Sequence, residues 1–289
     1  MILSTEELGM GTHTSDSEET SISVREVREA TYRLLCAAGV SPGVASRAAA
    51  MVLFSEVHHG DGLLWLYRQL DLIEGGGANP RRLRLAGESE GVSRVEATDT
   101  TALVAGPPGL DLLCERAESA GAWAARLVGP KGLPLLREPA YRSASWGLAC
   151  GVFWSGVPEA GEDRGLGALL ATPTPDGVEI LESRGTSDGL TVLTDELLRE
   201  RPEGFAGAIR EMIQNLPQDG TAGAEAVIVC HQAGDSSGGP RPEIADVAVR
   251  DEPELAKEWE AACGHGVRVD SGVWGAVYSA ARRMLVPET

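Results

Sequence analysis

The order of its amphipathic segments is the feature that most constrains how this chain can fold. Up to residue 77, apolar side chains recur at the spacing of helices that bury one face. Beyond that point, short β-like runs alternate with helical patterns. Because a strand, a helix and a second strand in succession form a βαβ unit, this alternation is typical of a sheet covered by helices. We therefore predict an α/β fold whose sheet is mixed or largely parallel, preceded by a helical N-terminal segment.

Helix-capping and helix-breaking residues predict where the individual elements begin and end. The first helix ends at Gly39, and the second has Ser41 as its cap and Pro42 in its first position. Three glycines close a third helix that begins at Gly62. Further helices are predicted at 109–121, 138–147, 187–200, 205–216, 252–264 and 272–285, and strands at 83–87, 92–97, 101–106, 122–129, 148–156, 166–177 and 224–230.

The chain is predicted to form a single α/β unit over residues 23–289. Residues 1–22 carry five acids, no base and few large apolar groups, so this segment is expected to be a disordered acidic tail. Residues 155–165, SGVPEAGEDRG, are rich in polar and turn-forming residues. They are a candidate subdomain boundary.

Charge and cysteine content exclude several classes of partner and site. With 25 basic and 43 acidic residues the net charge is −18, which disfavours binding to nucleic acid or to an anionic membrane. The N-terminal segment lacks the features of a signal peptide, so we expect a cytoplasmic protein. The five cysteines are odd in number and widely spaced, which favours reduced thiols, and no metal site is predicted.

One motif points to a function that the rest of the sequence contradicts. GDSSGG, residues 234–239, nearly matches the GDSGGP that surrounds the nucleophile of chymotrypsin-like serine proteases. The second serine breaks the spacing, and a helical N-terminus followed by α/β alternation does not form the two β-barrels of such a protease. We interpret the motif as a loop.

The segment HHGDGLLWLYRQLDLIEGGGANPRRLRLAGE, residues 58–88, carries a family resemblance. His59, Gly60 and Tyr67 keep the spacing of the motif S-H-G-x-x-R-x-x-x-Y, and Asn79-Pro80 follows after the glycines. The chain resembles the non-Rossmann malate/L-lactate dehydrogenase family, which includes ureidoglycolate, sulfolactate and Δ1-piperideine-2-carboxylate oxidoreductases. The resemblance extends as a general pattern over most of the chain. It implies that family's α/β fold, an NAD(P)-dependent oxidoreductase ancestry and an obligate dimer.

The departures from the family pattern concern its chemistry. The arginine that would hold a substrate carboxylate is Leu63 here. The segment GPKGLP, which contains Lys131, replaces the family's Asn-His-x-Gly with its acid/base histidine. The family's Lys-Gly helix start near the cofactor is Asp188-Gly189, and the segment that precedes it is much shorter here. These changes imply damage to both the proton relay and the nucleotide site.

Three residues are candidates for a remaining site. His59 either hydrogen-bonds a ligand or is a polar residue that ends the second helix, while its neighbour His58 is expected to face solvent. Tyr67 either donates its hydroxyl to a substrate or packs in the core. Lys131 either donates to an oxyanion or is an exposed loop charge.

Two functions remain open from the sequence. The first is a degenerate relative of NAD(P)-dependent oxidoreductases that has lost redox chemistry, needs no cofactor and serves as a non-redox enzyme of specialised metabolism or as a binding protein. The second is an NAD(P)H-dependent reductase of a small C=O or C=N substrate. In either case we expect a homodimer that binds a small molecule or a protein partner.

Overall fold

The computed structural model describes residues 18–155, 166–184, 186–217, 224–233 and 246–285. Its helices are α1 Val24–Ala37, α2 Pro42–His59, α3 Gly62–Tyr67, α4 Leu70–Leu72, α5 Ala102–Ala120, α6 Arg137–Ser145, α7 Ser187–Leu198, α8 Glu203–Gln214, α9 Glu252–His265 and α10 Ser271–Leu285. Its strands are β1 Glu19–Ile22, β2 Arg84–Ser89, β3 Val92–Glu96, β4 Ala122–Val128, β5 Leu148–Ser155, β6 Leu166–Thr174, β7 Gly177–Arg184, β8 Glu225–Gln232, β9 Val247–Arg250 and β10 Val267–Asp270.

Eight of these strands form one mixed sheet in the order β2-β3-β4-β8-β5-β6-β7-β9. Only β3 and β4 pair in parallel, joined by α5 as a βαβ unit; the other described pairs are antiparallel. The prediction of a mixed sheet is confirmed, but "largely parallel" is wrong. The reason is that β8, from late in the chain, inserts between β4 and β5 and runs antiparallel to both.

Helices cover both faces of this sheet, because successive side chains on a buried strand point to opposite sides. On β5, Cys150, Val152 and Trp154 enter the larger core, together with residues of α1, α2, α5, α6, α9 and α10. Phe153 points the other way, into a smaller core with α7 and α8. The sheet is thus the middle of three layers, with most of the described helices on one side.

Three local predictions are corrected. Residues 101–106 open α5 and are not a strand, because Thr101 caps the helix by accepting from Leu103 N. The third helix is broken into α3, α4 and a π-helical turn, Ile73–Gly77, in which Gly76 has a φ of +82°. Residues 19–22 of the expected disordered tail form β1, paired with β10.

Two other predictions concern residues outside the described ranges. These are most of the candidate boundary, residues 156–165, and the GDSSGG loop. Residues 1–17 of the tail also lie outside them. The strands that flank the candidate boundary, β5 and β6, pair directly with each other in the same sheet.

Glycines shape the turn between α2 and α3. Gly60 ends α2 in the left-handed region at φ +67°, and its N–H donates to Glu56 O. Two residues on, a Cβ on Gly62 would lie 2.0 Å from Val52 O and 2.6 Å from Glu56 N. Only glycine therefore allows α3 to pack this closely against the last turns of α2.

We expect Gly62→Ala to lower the free energy of unfolding by about 2 kcal/mol or more, because the new methyl group would overlap backbone atoms. The matched control is Gly43→Ala, also at a helical position, where an added Cβ has no neighbour within 4 Å. There we expect no loss, and a gain of up to about 1 kcal/mol. Urea unfolding of both variants measures the difference, and an equal effect at the two positions would contradict the close packing at Gly62.

Candidate functional site

The end of α2 brings two consecutive histidines to the edge of the larger core. His58 and His59 form its last turn, and Gly60 then redirects the chain so that Asp61 precedes α3. Opposite them lie β7, β9 and the start of α6. The candidate site is built where these elements meet.

His59 is enclosed rather than presented to solvent. Its side chain is 1% exposed, and Nδ1 lies 3.3 Å from Glu182 Oε2 and 3.2 Å from Arg250 Nη2. Nε2 is buried and has no hydrogen-bond partner among the described residues. Burial lowers the pKa of His59 below its ordinary value, despite the neighbouring Glu182, so the imidazole is neutral at physiological pH.

Arg137 supplies the charge that balances this site. Its Nε donates to Glu182 Oε1 at 3.0 Å and its Nη1 to Asp61 Oδ2 at 2.7 Å, while the guanidinium carbon lies 5.6 Å from the ring centroid of Trp154. We call His59, Asp61, Arg137, Glu182 and Arg250 the buried ionic cluster. Its hydrogen bonds and ion pairs join α2, α6, β7 and β9.

His58 is buried too, so the expectation that it faces solvent is wrong. Its side chain is 5% exposed because α9 covers it, and Nδ1 bonds Glu258 Oε2 at 2.7 Å. The ring also lies against Phe54 at 4.5 Å between centroids and near Trp259 at 6.5 Å. Burial lowers the pKa of His58, and this effect exceeds the opposing effect of Glu258.

The structure does not bring the other two candidates to His59. Tyr67 ends α3 with 44% of its surface exposed. Lys131 is exposed beside the start of α5, where its backbone bonds Thr100 O and Ala102 N. Neither is a hydrogen-bond or ion-pair partner of His59 among the described residues.

The position of the family's carboxylate-binding arginine is apolar here. Leu63 is fully buried in the larger core, and its backbone N–H donates to Glu56 Oε2 at 2.7 Å. Burial raises the pKa of Glu56. A leucine in this place packs against its neighbours and offers no hydrogen bond to a ligand.

At the start of α7, which the family resemblance implies would lie near a nicotinamide nucleotide, the residues present oppose its phosphates. After a two-residue turn, β7 runs from Gly177 to Arg184 between β6 and β9, and only residues 185 and 186 separate it from α7. Thr186 Oγ1 already accepts from the first turn of α7, at Gly189 N, and the same turn carries Asp188, whose charge opposes a phosphate. A Cβ on Gly189 would lie 1.9 Å from Ser183 Oγ, so the helix start is tightly packed.

Comparison with known proteins finds solved structures that share this architecture. No protein-family model and no curated protein matches the sequence. Among solved structures, a dehydrogenase from Sinorhizobium meliloti matches with a TM-score of 0.67 at 15% identity, covering 91% of this chain and 100% of that one. Malate dehydrogenase from Pyrococcus horikoshii matches with a TM-score of 0.66 at 14% identity, and the match covers 94% of this chain and 97% of that one. Sulfolactate dehydrogenase from Methanocaldococcus jannaschii matches with a TM-score of 0.66 at 12% identity, and the match covers 92% of this chain and 98% of that one.

This chain has the malate/L-lactate dehydrogenase fold. At these identities the likeness concerns the fold, and it confirms the fold that the segment around His59 and Tyr67 predicted. The dehydrogenase fold is not the pair of β-barrels that a chymotrypsin-like protease requires.

Sequence reasoning missed four members of the buried ionic cluster, and one of them had a detectable signal. In β7, Val178, Ile180 and Glu182 alternate onto the same face. An acid in phase with two buried apolar residues predicts a paired, buried charge. Asp61, Arg137 and Arg250 had no comparable signal, because each lies at the end or beginning of an element.

Further observations concern metals, thiols and membranes. Within the described ranges, no cluster of three or more metal-binding side chains occurs and no helix is long and apolar enough to cross a bilayer. All five cysteines are free thiols. Cys150 and Cys230 face each other on β5 and β8, with 3.3 Å between their sulfurs.

We expect the free energy of unfolding to fall as the pH is lowered from about 8 to about 5. Burial lowers the pKa values of His58, His59 and His231, so below their ordinary value of 6.5 the unfolded chain binds protons that the folded chain does not. His59→Gln should weaken this dependence, whereas His265→Gln, on the exposed side of α9, should not.

Urea unfolding at each pH measures the effect. Glu56 and Glu138 have raised pKa values and act in the opposite direction at the acidic end, so the comparison between variants is the informative quantity. The same pH dependence in His59→Gln and in the unchanged chain would contradict a neutral, buried His59.

Proposed function

We propose that this protein keeps the dehydrogenase fold but has lost nicotinamide-dependent redox chemistry, and that it acts as a non-redox enzyme of specialised metabolism or as a binding protein for a small molecule or a protein partner. The observation that carries the proposal is the enclosure of His59. Its side chain is 1% exposed, and its Nδ1 is engaged by Glu182 and Arg250. Ionic partners thus occupy one ring nitrogen of the residue on which a proton relay would be built.

Two further features support the loss of redox chemistry. Leu63 lies buried where a substrate carboxylate would need an arginine, so 2-oxo acids lack their anchor. The short passage from β7 into α7 and the acidic residue Asp188 oppose the binding of a dinucleotide phosphate. Leu63 lies on α3 and Asp188 on α7, so the two observations come from different parts of the chain.

The second candidate function is an NAD(P)H-dependent reductase of a small C=O or C=N substrate. The observation that favours it is His59 Nε2, which is buried without a partner among the described residues. In either tautomer this atom has an unused N–H or lone pair. In this alternative, His59 would transfer the proton, Tyr67 would orient the substrate after a movement of α3, and Lys131 would serve as a substitute cationic donor.

Titration calorimetry with NADH and NADPH separates these candidates. We expect no binding with a Kd below about 1 mM for either nucleotide, and no loss of nicotinamide absorbance with pyruvate, oxaloacetate or cyclic imino acids. Tight stoichiometric binding with turnover that His59→Ala abolishes would establish the reductase instead. Tyr67→Phe and Lys131→Ala then test the other two roles.

We also propose a homodimer, supported by aromatic side chains exposed on neighbouring helices. Tyr67 on α3 and Tyr278 on α10 are about half exposed, and the two helices pack together. Exposed aromatic clusters are common at subunit interfaces.

We also propose that the protein is located in the cytoplasm. The five free thiols support this location, because thiols stay reduced there.

Light scattering at micromolar concentration is expected to give the mass of a dimer. The double variant Tyr67→Glu, Tyr278→Glu should be monomeric, because charges at the centre of an apolar contact oppose association. Leu85→Glu is the control, since Leu85 is similarly exposed but lies on the edge strand β2. A monomeric unchanged chain, or equal effects of both changes, would contradict the proposed interface.

A further inference from the structure

We propose that His58 and Arg250 form a carboxylate-binding subsite which the side chain of Glu258 fills from within the chain. The subsite would accept the carboxylate of a small monoanionic ligand when α9 withdraws Glu258. This inference rests on the proposed binding function, because it names the ligand class for the same region. It places the ligand's acid group beside His59, not at the position of Leu63.

His58 hydrogen-bonds one oxygen atom of Glu258, and Arg250 is a more distant ion-pair partner of the same atom. His58 Nδ1 lies 2.7 Å from Glu258 Oε2, and Arg250 Nη1 lies 3.8 Å from the same atom. The donors come from different elements, the end of α2 and the end of β9. An imidazole N–H within hydrogen-bond distance and a guanidinium charge close by are suited to a carboxylate.

The donors are held in place without Glu258. Arg250 Nη1 donates to His58 O at 2.5 Å, and its Nη2 lies 3.2 Å from His59 Nδ1 and 3.5 Å from Glu182 Oε2. The imidazole of His58 packs against Phe54 on one side. A receptor fixed by other contacts stays formed when its occupant leaves, which lowers the cost of binding a ligand.

Glu258, which fills the subsite, lies near the surface of the molecule. The side chain of Glu258 is 35% exposed, against 5% for His58 and 15% for Arg250. Its helix, α9, buries only Leu255 and Ala262 among its 14 residues. Polar contacts also attach both ends of α9. Glu252 accepts from Tyr141 OH at 3.0 Å and from Val178 N at 3.2 Å, and His265 O accepts from Ser21 Oγ at 2.7 Å. Elements with so little buried surface open at low free-energy cost.

Charge and position define the ligand. Asp61 and Glu182 already balance the charges of Arg137 and Arg250. A dianion at the subsite would therefore be opposed more strongly than the single charge that Glu258 carries there. Arg250 also links the subsite to His59, because its Nη1 faces Glu258 and its Nη2 faces His59 Nδ1. A carboxylate bound there would place the rest of the ligand next to the buried ionic cluster.

The test uses acetate as the probe on the full chain. In Glu258→Ala the subsite is vacated, and we expect acetate to bind at least about tenfold more tightly than to the unchanged protein. Titration calorimetry, against chloride at equal ionic strength, and the imidazole proton signals of His58 report the binding. Glu260→Ala is the matched control, because Glu260 is an exposed acid on the same helix.

A second variant verifies where the acetate binds. Adding His58→Phe to Glu258→Ala keeps an aromatic ring beside Phe54 but removes the Nδ1 donor, so acetate binding should be lost. If Glu258→Ala does not fold by circular dichroism, Glu258→Gln serves instead, because a neutral amide is displaced more readily than a carboxylate.

Each outcome decides for or against the subsite. Acetate binding that appears in the Glu258 variant alone and needs His58 supports it. No binding to a folded Glu258 variant, equal binding to Glu260→Ala, or stronger binding of inorganic phosphate than of acetate overturns it. The nucleotide titration is independent of these results, since binding of NADH would refute the proposed function and leave the acetate result standing.

Discussion

The ion pair between Arg137 and Glu182 is the contact on which the arrangement of this region depends. Both side chains are nearly inaccessible to solvent, so each charge requires the other. Through Asp61 and Arg250 the pair joins the α2–α3 turn to the edge of the sheet. Removal of one partner would leave an uncompensated buried charge, which typically costs about 3–5 kcal/mol, whereas an apolar replacement of the whole cluster could be neutral. The cluster therefore specifies geometry more than it adds stability.

The division between apolar cores and a small polar cluster illustrates how one fold can carry different chemistries. The sheet and its two cores depend on apolar burial, which tolerates substitution as long as volume and pattern are kept. A catalytic site depends on a few polar groups in fixed positions, so replacement of one of them removes its role. Fold and activity can thus separate within one family of structures.

The helix α9 connects the buried ionic cluster to the surface. It is attached by polar contacts, with Glu258 on His58 and Glu252 on Tyr141, and by the buried side chains of Leu255 and Ala262. Burial raises the pKa of Tyr141 to about 12, so its hydroxyl remains a donor to Glu252 over the physiological range. Polar attachments of this kind are directional and weaken when water enters, in contrast to the apolar packing of α2 and α5 beneath them.

The sequence by itself determined what is local. The spacing of apolar residues and the helix-capping residues predicted most helices and strands. Residues three to four apart on a helix, or two apart on a strand, share a face in any context. The α2–α3 segment also predicted the fold and identified His59 as a candidate residue. Tertiary structure alone decided which element ends meet. Arg137 and Glu182 are 45 residues apart, and Arg250 and His59 are 191 apart. The insertion of β8 between β4 and β5, which made the sheet mostly antiparallel, is equally non-local. Such pairings leave no periodic trace in the chain, because their energy depends on the burial that only the assembled layers create.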